Sequence, residues 1–558
     1  MELEIVFDTG SGVPLYEQIY TDIRERIRAG ELTSGERLPS TRVLASQLQV
    51  ARSTAELAYE QLEAEGYVEI RPGSGAYVCS IDQIPDIGEV ASPRSGASAP
   101  GRPGAGGRGD GKDPAGNDRS IGERREEAGR EKGAAPAGKA IIDFSPRTID
   151  MSAFPYATWR RILRGILSGD RSELFGRGDP QGDAGLRGTI ARYLHLARGC
   201  VCEPDQIVIG AGNDYLMMLL CLVLGEGRRV GMESPTYPRA AEILSAMHES
   251  IVPVRSDESG MDIDALALLN CSLVYCMPAR QYPTGASLPW PRRAKLLAWA
   301  AEDPDRYIIE DDYDSEFRYR GRPVPSLQSQ DRAGRVIYIG TFSKSIAPAI
   351  RVSYLVLPRR LLPLFRERAQ VLSCTVPRMD QSVLDEFIRD GYFERYLNRM
   401  RTRYRSRHDL MLELLSQLDE RFEVAGAGAG LHLLLRLREE ETIQECGTAA
   451  GGSDRERNET AAQGGTADPD GDGAPENYSR EAVVTGESLR IRNILIEKEY
   501  AERAAAAGVC VYPMSEMYLG GEFPEGQETA PTLLLGYAAL TKEEIQQGIS
   551  LLQKAWKN

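Results

Sequence analysis

The stretch GTFSKSIAPAIR at residues 340–351 decides how the larger part of this chain folds. The four residues before it, VIYI at 336–339, form an aliphatic run that is typical of a buried strand. The run leads into a small polar loop that carries Lys344 between two serines and ends at Arg351. Ligands of open α/β sheets bind beyond the carboxyl ends of the strands, so this loop indicates a ligand site.

Three more runs of the same kind precede it, QIVIG at 206–210, SLVYCMP at 272–278 and YIIEDDY at 307–313. They alternate with helical stretches, which predicts an α/β domain with a mostly parallel sheet. We place this body at residues 140–558. Residues 440–485 within it are rich in Gly, Ala and charged residues, which predicts a disordered insertion that loops out of the domain.

Polar groups collect at the ends of these predicted strands. The glycine loop at Ala211, Gly212 and Asn213 opens a helical run and would offer backbone N–H groups to an anion. The acidic run at residues 310–314 could bind a metal, or could hold one carboxylate opposite a cationic ring nitrogen. Taken alone, Lys344 would be a solvated surface lysine. A phosphate cradle, an acid and a lysine together are what a pyridoxal 5′-phosphate site requires, so the combination favours that cofactor.

Length and composition limit the remaining possibilities. At 558 residues the chain is expected to hold two or more domains, and its net charge of −15 argues against a nonspecific nucleic-acid coat. The longest apolar run, residues 215–224, is too short to span a membrane. Nine scattered cysteines and the lack of a signal-peptide pattern predict a cytoplasmic protein. Four histidines without a ligand-like cluster predict no metal site.

The first 80 residues form a separate block, followed by a Gly-, Pro- and Ser-rich stretch at 81–139 that predicts a disordered linker. Apolar spacing predicts one helix at 14–28 and a second that begins after Ser40 as its N-cap. A third helix is predicted from Ser53, where SxxE has the capping-box spacing, and a hairpin follows at 67–78. Three helices and a β-wing over residues 12–80 predict a winged helix-turn-helix, with a small helical dimerisation domain as the alternative.

In a winged helix the start of the recognition helix meets base edges. The residues at that start are Arg52, Ser53 and Thr54. Arg42 and the wing tip, Gly73, Ser74 and Gly75, are predicted to contact phosphates or the minor groove.

The block resembles the DNA-binding domain of GntR-type bacterial regulators in three motifs. They are GERLPSTRVLA at 35–45, ARST at 51–54 and GSGAYV at 73–78. The body resembles fold-type I aminotransferases in QYPTG at 281–285, EDDYDSEFRY at 310–319 and the stretch at 340–351. A GntR-type head joined to such a body is the arrangement of MocR/GabR-type regulators.

This resemblance implies a transcription regulator whose body has the PLP-dependent transferase fold, with a small C-terminal subdomain. It implies a domain-swapped homodimer that binds double-stranded operator DNA and responds to an amino compound or to pyridoxal phosphate itself. The alternative is a working PLP-dependent aminotransferase with a fused DNA-binding head.

The resemblance also assigns roles to residues. It makes Lys344 the Schiff-base lysine, Asp311 the partner of the pyridine nitrogen and Tyr313 the partner of the ring hydroxyl. Tyr237 would stack on the ring, and Arg239 would read an effector carboxylate unless it is a plain surface arginine. The phosphate would be held by Thr341, Ser343 and Arg351 together with the backbone of Ala211, Gly212 and Asn213.

Four positions depart from the enzyme pattern. Leu534 stands where aminotransferases usually carry the arginine that grips the substrate's α-carboxylate, and Arg280 replaces a frequent histidine. Tyr282 replaces the asparagine of the NPTG motif, and Arg177 replaces a common tyrosine. These changes count against ordinary transamination of α-amino acids, while the residues assigned to the cofactor are intact.

Overall fold

The computed structural model describes residues 5, 7–8, 13–64, 67–71, 74–78, 141–169, 172–319, 324–418, 420–438, 486–521 and 530–557. The predicted linker at 81–139 and the predicted insertion at 440–485 lie outside these residues. Within the described part of the chain, no helix is long and apolar enough to cross a membrane.

The N-terminal head folds as the sequence predicts, as three helices and a hairpin. Its apolar stripes meet in one small core that includes Ile19, Ile23, Leu44 and Leu62. The Ser40 hydroxyl accepts a hydrogen bond from the N–H of Val43, which confirms the predicted N-cap. The elements are α1 Leu15–Arg28, α2 Thr41–Leu48, α3 Arg52–Ala64, β1 Val68–Arg71 and β2 Gly75–Val78.

The third helix differs in one detail from the prediction. It begins at Arg52, one residue before the predicted cap. The Glu56 carboxylate accepts from Arg52 Nε at 2.7 Å, so it forms an (i, i+4) ion pair where a capping box was expected.

The body is built on an eight-stranded sheet in the order β4-β11-β10-β9-β8-β5-β6-β7. Strands β10, β9, β8, β5 and β6 run parallel, and β4, β11 and β7 add antiparallel pairings. The predicted α/β fold is thus confirmed, with a sheet that is mixed at its edges. The elements up to the last strand of this sheet are β3 Ile142–Asp143, α4 Tyr156–Ser168, α5 Ala184–Arg198, β4 Ile207–Gly210, α6 Asn213–Leu224, β5 Arg229–Ser234, α7 Pro238–Ala246, β6 Ser250–Asp257, β7 Gly260–Met261, α8 Ile263–Leu268, β8 Leu273–Cys276, α9 Trp290–Ala301, β9 Tyr307–Asp312, β10 Val336–Thr341 and β11 Ser353–Val356.

A smaller C-terminal part carries a second, antiparallel sheet in the order β12-β13-β16-β15, while β14 pairs with β3. Helices cover this sheet around a core of its own that includes Phe144, Leu433, Leu535 and Trp556. The elements are α10 Leu362–Arg368, α11 Arg378–Arg389, α12 Tyr392–Leu415, β12 Phe422–Ala425, β13 His432–Leu437, α13 Gly486–Ala506, β14 Val509–Cys510, β15 Tyr512–Pro513, β16 Thr532–Gly536 and α14 Lys542–Ala555.

The head packs against the start of α9. The rings of Tyr67 and Trp290 stack with centroids 6.0 Å apart, and both side chains are buried. Trp290 belongs to the same apolar cluster as the helices of the head. This aromatic pair is one point of contact between the head and the body.

Candidate functional site

The topology brings the three predicted loops to one edge of the main sheet. In the parallel pair β9–β10, Asp311 lies opposite Ile339, directly before the lysine loop. On the other side of β10, strand β11 pairs with β4, and Ser353 lies opposite Gly210 at the start of the glycine loop. The loops that carry Lys344, Asp311 and Gly212 therefore meet, as the strand ends predicted.

Lys344 lies in a confined environment. Its amine donates hydrogen bonds to the backbone carbonyl of Arg147 at 2.7 Å and to that of Pro146 at 3.3 Å. Burial lowers the pKa of Lys344 to about 8; the nearby Asp314 carboxylate opposes the change and the Arg147 cation adds to it. An amine with a lowered pKa is more often unprotonated at neutral pH, as a lysine that attacks an aldehyde must be.

Asp311 is a buried carboxylate whose hydrogen-bond donors are neutral. It accepts from the Tyr275 hydroxyl at 2.6 Å and from the Asn213 amide at 3.2 Å. Burial raises its pKa to about 6, while these two hydrogen bonds oppose the rise. Among the described residues no cation pairs with Asp311, so its environment suits the protonated nitrogen of a pyridine ring.

The neighbouring carboxylates form ion pairs or hydrogen bonds with other groups. Asp312 pairs with Arg198 at 2.6 Å, and Asp314 pairs with Arg280 at 3.3 Å. Glu310 accepts the backbone N–H groups of Leu327 and Gln328. Glu310, Asp311 and Asp312 are successive residues of β9, so Asp311 points to the face opposite to its two neighbours, and Asp314 lies beyond the end of the strand. The metal-site alternative for this run is therefore not supported, and the described residues hold no cluster of side chains suited to a metal ion.

The start of α6 and Arg351 form the candidate phosphate cradle. Gly212 has a φ of +91°, and a Cβ added to it would stand 2.4 Å from Arg351 Nη2. Arg351 donates to the carbonyl of Ala211 at 3.2 Å, and 52% of its side chain remains exposed. The N–H of Ala211 already donates to Thr375 Oγ1 at 2.9 Å. The N–H of Gly212 likewise donates to the carbonyl of Gly210 at 2.9 Å. This leaves the guanidinium and the N–H groups from Asn213 onward as the donors available for an anion.

Thr341 and Ser343 hold the lysine loop in shape. Thr341 Oγ1 accepts from the N–H of Ser343 at 3.1 Å and from the Ser353 hydroxyl at 2.8 Å. Thr341 is buried and Ser343 is half-buried. Both hydroxyls belong to the lysine loop, and their contact with a phosphate stays a prediction.

Three tyrosines line the side of the site towards α7. Tyr282 packs edge-on against Tyr237 at 6.0 Å and against Tyr313 at 6.1 Å between ring centroids. The Tyr313 hydroxyl accepts a hydrogen bond from Arg280 Nη1 at 3.3 Å. Arg280 therefore helps to fix the position of Tyr313, the residue predicted to contact the ring hydroxyl. Tyr237 is half-buried, and its stacking role stays a prediction.

Arg239 lies at the phosphate side of the site. It pairs with Asp214 at 2.7 Å, and the same oxygen lies 3.5 Å from Arg351. The side chain of Arg239 is 59% exposed. An effector carboxylate that binds Arg239, as predicted, would therefore have to compete with the Asp214 carboxylate.

Sequence reasoning missed Tyr275, Asp214 and Thr375. Tyr275 sits inside an aliphatic strand run, and only the pairing of β8 with β9 shows that its hydroxyl meets Asp311. Thr375 is 164 residues from the Ala211 it contacts. Asp214 directly follows the predicted loop. An acidic residue in the first turn of a helix is favourable, and this was the only sequence feature that pointed to Asp214.

The head presents most of its predicted DNA-reading residues at the surface. Arg52 is 67% exposed, and Arg42 and Ser74 are exposed as well. Thr54 and Gly75 are partly exposed, and Gly73 lies outside the described residues. Ser53 is exposed but borders a cavity of about 1230 Å³ that residues of the body also line.

The fold defines a class of protein: a winged helix-turn-helix head joined to an aminotransferase-like body. The family of bacterial regulatory proteins called gntR matches residues 15–78. The HTH-type transcriptional regulator YhdI of Bacillus subtilis is 35% identical over 100% of this chain and 98% of its own length. The probable rhizopine catabolism regulatory protein MocR of Rhizobium meliloti is 32% identical over 77% of this chain and 83% of its own length.

The chain therefore belongs to the MocR-type transcription regulators of the gntR class. Among solved structures, its fold is similar to LysN, an α-aminoadipate aminotransferase from Thermus thermophilus in complex with N-(5′-phosphopyridoxyl)-L-leucine. The TM-score is 0.57, with 23% identity over 75% of this chain and 92% of LysN. The predicted regulator with a winged helix-turn-helix and a transferase-like body is confirmed.

Proposed function

We propose that the body binds pyridoxal 5′-phosphate at Lys344 and that the loaded site is a receptor for an amino compound. When bound, this cofactor supplies an aldehyde that combines with amines and a ring that withdraws electrons. The observation that carries the proposal is Asp311, a buried carboxylate with neutral donors in the same site as a lysine of lowered pKa. A pyridine N–H⁺ would supply the cation that Asp311 lacks.

The other residues would orient the ring and hold its phosphate. Tyr313, braced by Arg280, would bond the ring hydroxyl, and Tyr237 would cover one face. Arg351 and the start of α6 would bind the phosphate, with Thr341 and Ser343 beside them. The close approach of Arg351 to Gly212 favours this, because any side chain at position 212 would collide with the guanidinium.

Binding of the amino compound would change the hold of the head on operator DNA. This requires that the compound bind two conformations of the protein with different affinity. The stacked rings of Tyr67 and Trp290 join the two parts, so a change in the body that moves α9 would be passed to the head. In a domain-swapped homodimer the same contact would form between two chains, and the linker at 81–139 is long enough for either arrangement. The protein would act in the cytoplasm.

A working aminotransferase is the second candidate, since the lysine and its acid are intact. Leu534, at the place of the usual carboxylate-binding arginine, is 0% exposed and packs in the core. The site thus lacks the usual cation for an α-carboxylate at that position, which favours the receptor.

The test combines absorbance with DNA binding. Wild type should show a visible absorption band that Lys344→Ala abolishes, and an amino compound should shift the band without release of a keto product. Operator sequences are first selected from a random DNA pool by the wild-type protein. The shifting compound should then change the affinity of wild type, but not of Lys344→Ala, for the selected DNA. Steady release of keto product would favour the aminotransferase, and absence of the band would contradict the proposal.

A further inference from the structure

We propose that Arg147 is the specificity residue of the amino-compound site and binds the anionic group of the effector. The inference rests on the proposed function, because it concerns the ligand that meets the cofactor at Lys344. It narrows that ligand to a primary amine that also carries a carboxylate or a sulfonate.

The chain segment around Arg147 is fixed at both ends. Upstream, the N–H of Gly536 donates to the carbonyl of Phe144 at 2.7 Å, and a Cβ at Gly536 would stand 2.2 Å from the backbone oxygen of Ser145. Downstream, the buried carboxylate of Asp150 pairs with Arg403 and Arg407 at 2.7 Å each. The segment between these two anchors is therefore held in place before any ligand binds.

This segment lies directly against the reactive lysine. The carbonyl of Arg147 accepts the hydrogen bond from Lys344 Nζ at 2.7 Å. The Arg147 side chain is exposed, and its charge acts on the aromatic side of the site. Burial raises the pKa of Tyr282 to about 12, and Arg147 is the foremost group that opposes this rise. Burial likewise raises the pKa of Tyr237, with Arg239 and Arg147 in opposition.

The other cations around the site already have carboxylate partners. Arg280 pairs with Asp314, and Arg239 and Arg351 share Asp214. In the described part of the chain, Arg147 makes no ion pair with a carboxylate. The Arg147 cation also acts on Lys344 and opposes its protonation. An anion bound there would relieve this repulsion and gain charge-assisted hydrogen bonds.

A cation at Arg147 would also compensate for the lack of an arginine at position 534. Leu534 lies on β16 opposite Leu434, inside the apolar core. Arg147, whose charge acts on Tyr282 and Tyr237, would supply a cation for the anionic group instead. The geometry thus favours amines whose acid group approaches from the side of Tyr237 and Tyr282.

The test uses pairs of probes that differ in the anionic group. β-Alanine and taurine are each compared with ethylamine, and γ-aminobutyrate with propylamine. Affinity is read from the shift of the visible band of the PLP-loaded protein. In wild type at least one anionic probe should bind more tightly than its plain amine by about tenfold or more, the effect of one charge-assisted contact. Arg147→Gln should keep the visible band and bring the ratio of the two affinities to within about twofold of one, because any common effect through Lys344 cancels in that ratio; Arg147→Lys should keep part of the preference.

Arg239→Gln serves as the matched comparison, because it removes the other exposed arginine near Tyr237. If Arg239→Gln abolishes the preference and Arg147→Gln does not, the inference is wrong while the receptor function stands. A wild type that binds every plain amine as well as its anionic partner also overturns it. If wild type has no visible band at all, the proposed function itself fails, and the inference fails with it.

Discussion

One ion pair of the head and one of the body lie in opposite environments. In the head, Arg52 and Glu56 form an ion pair in which 67% and 39% of the side chains are exposed. In the body, Arg198 and Asp312 form an ion pair in which each side chain is 3% exposed. An exposed pair is weak and can exchange its partner for a phosphate, whereas a buried pair is costly to break and fixes its surroundings. The ion pair of the head is open to solvent, whereas that of the body is enclosed by the fold.

The largest effect is expected when the buried pair is broken. Arg198→Met would leave the Asp312 carboxylate buried without its cation, at a cost of about 3 to 5 kcal/mol in the free energy of unfolding. Urea denaturation of the cofactor-free protein measures this. The Tyr338 hydroxyl would still donate to Asp312, at 2.6 Å, and cannot replace a positive charge.

The double variant Arg198→Met with Asp312→Asn is the control for this prediction. It removes both charges and keeps an acceptor for Tyr338, so most of the lost stability should return. A double variant as unstable as the single one would show that packing of the Arg198 side chain, and not its charge, is what matters.

The next effect concerns the exposed charge of the head. Arg52→Ala should lower the affinity for the selected operator by about 2 kcal/mol if Arg52 reads a base edge, with little change for nonspecific DNA. Fluorescence anisotropy on the two DNA sequences measures this, and the visible absorption band should be unchanged. An equal loss on both DNA sequences would mean that Arg52 contacts only the backbone.

A smaller effect tests Asp311 through its pH dependence. Its pKa is raised to about 6 in the folded protein, so the cost of ionising it grows as pH rises from about 4 towards 6. Asp311→Asn cannot ionise. Relative to wild type, the cofactor-free variant should therefore gain about 1.5 kcal/mol in the free energy of unfolding between pH 5 and pH 7.5.

Urea denaturation at the two pH values measures the change, and addition of pyridoxal phosphate gives the second readout. The cofactor should stabilise wild type and stabilise Asp311→Asn far less. A pH-independent difference between the two cofactor-free proteins would contradict the assignment of a raised pKa to Asp311.

The two regions also differ in how much of their structure could be predicted from the sequence. The head is a local structure, and apolar spacing with the Ser40 cap predicted its helices closely. The strand ends of the body likewise predicted that Lys344, Asp311 and the glycine loop would meet. The partners of these groups depend on which strands are neighbours, so spacing along the chain could not reveal Tyr275 beside Asp311. The same holds for Arg147, which lies 197 residues before Lys344.

The smallest effect isolates the exposed ion pair. Glu56→Gln should change the free energy of unfolding by less than about 0.5 kcal/mol, because solvent screens the pair and ordering two long side chains offsets its attraction. Its effect on DNA binding has the opposite sign to that of Arg52→Ala. In the free protein the Glu56 carboxylate holds Arg52 Nε at 2.7 Å, and DNA must displace it and approach its negative charge. Affinity should therefore rise about two- to threefold at low salt, and the gain should shrink as salt screens the carboxylate. Unchanged affinity at every salt concentration would mean that the ion pair between Glu56 and Arg52 persists in the complex with DNA. In that case the pair would hold the guanidinium in position to contact a base.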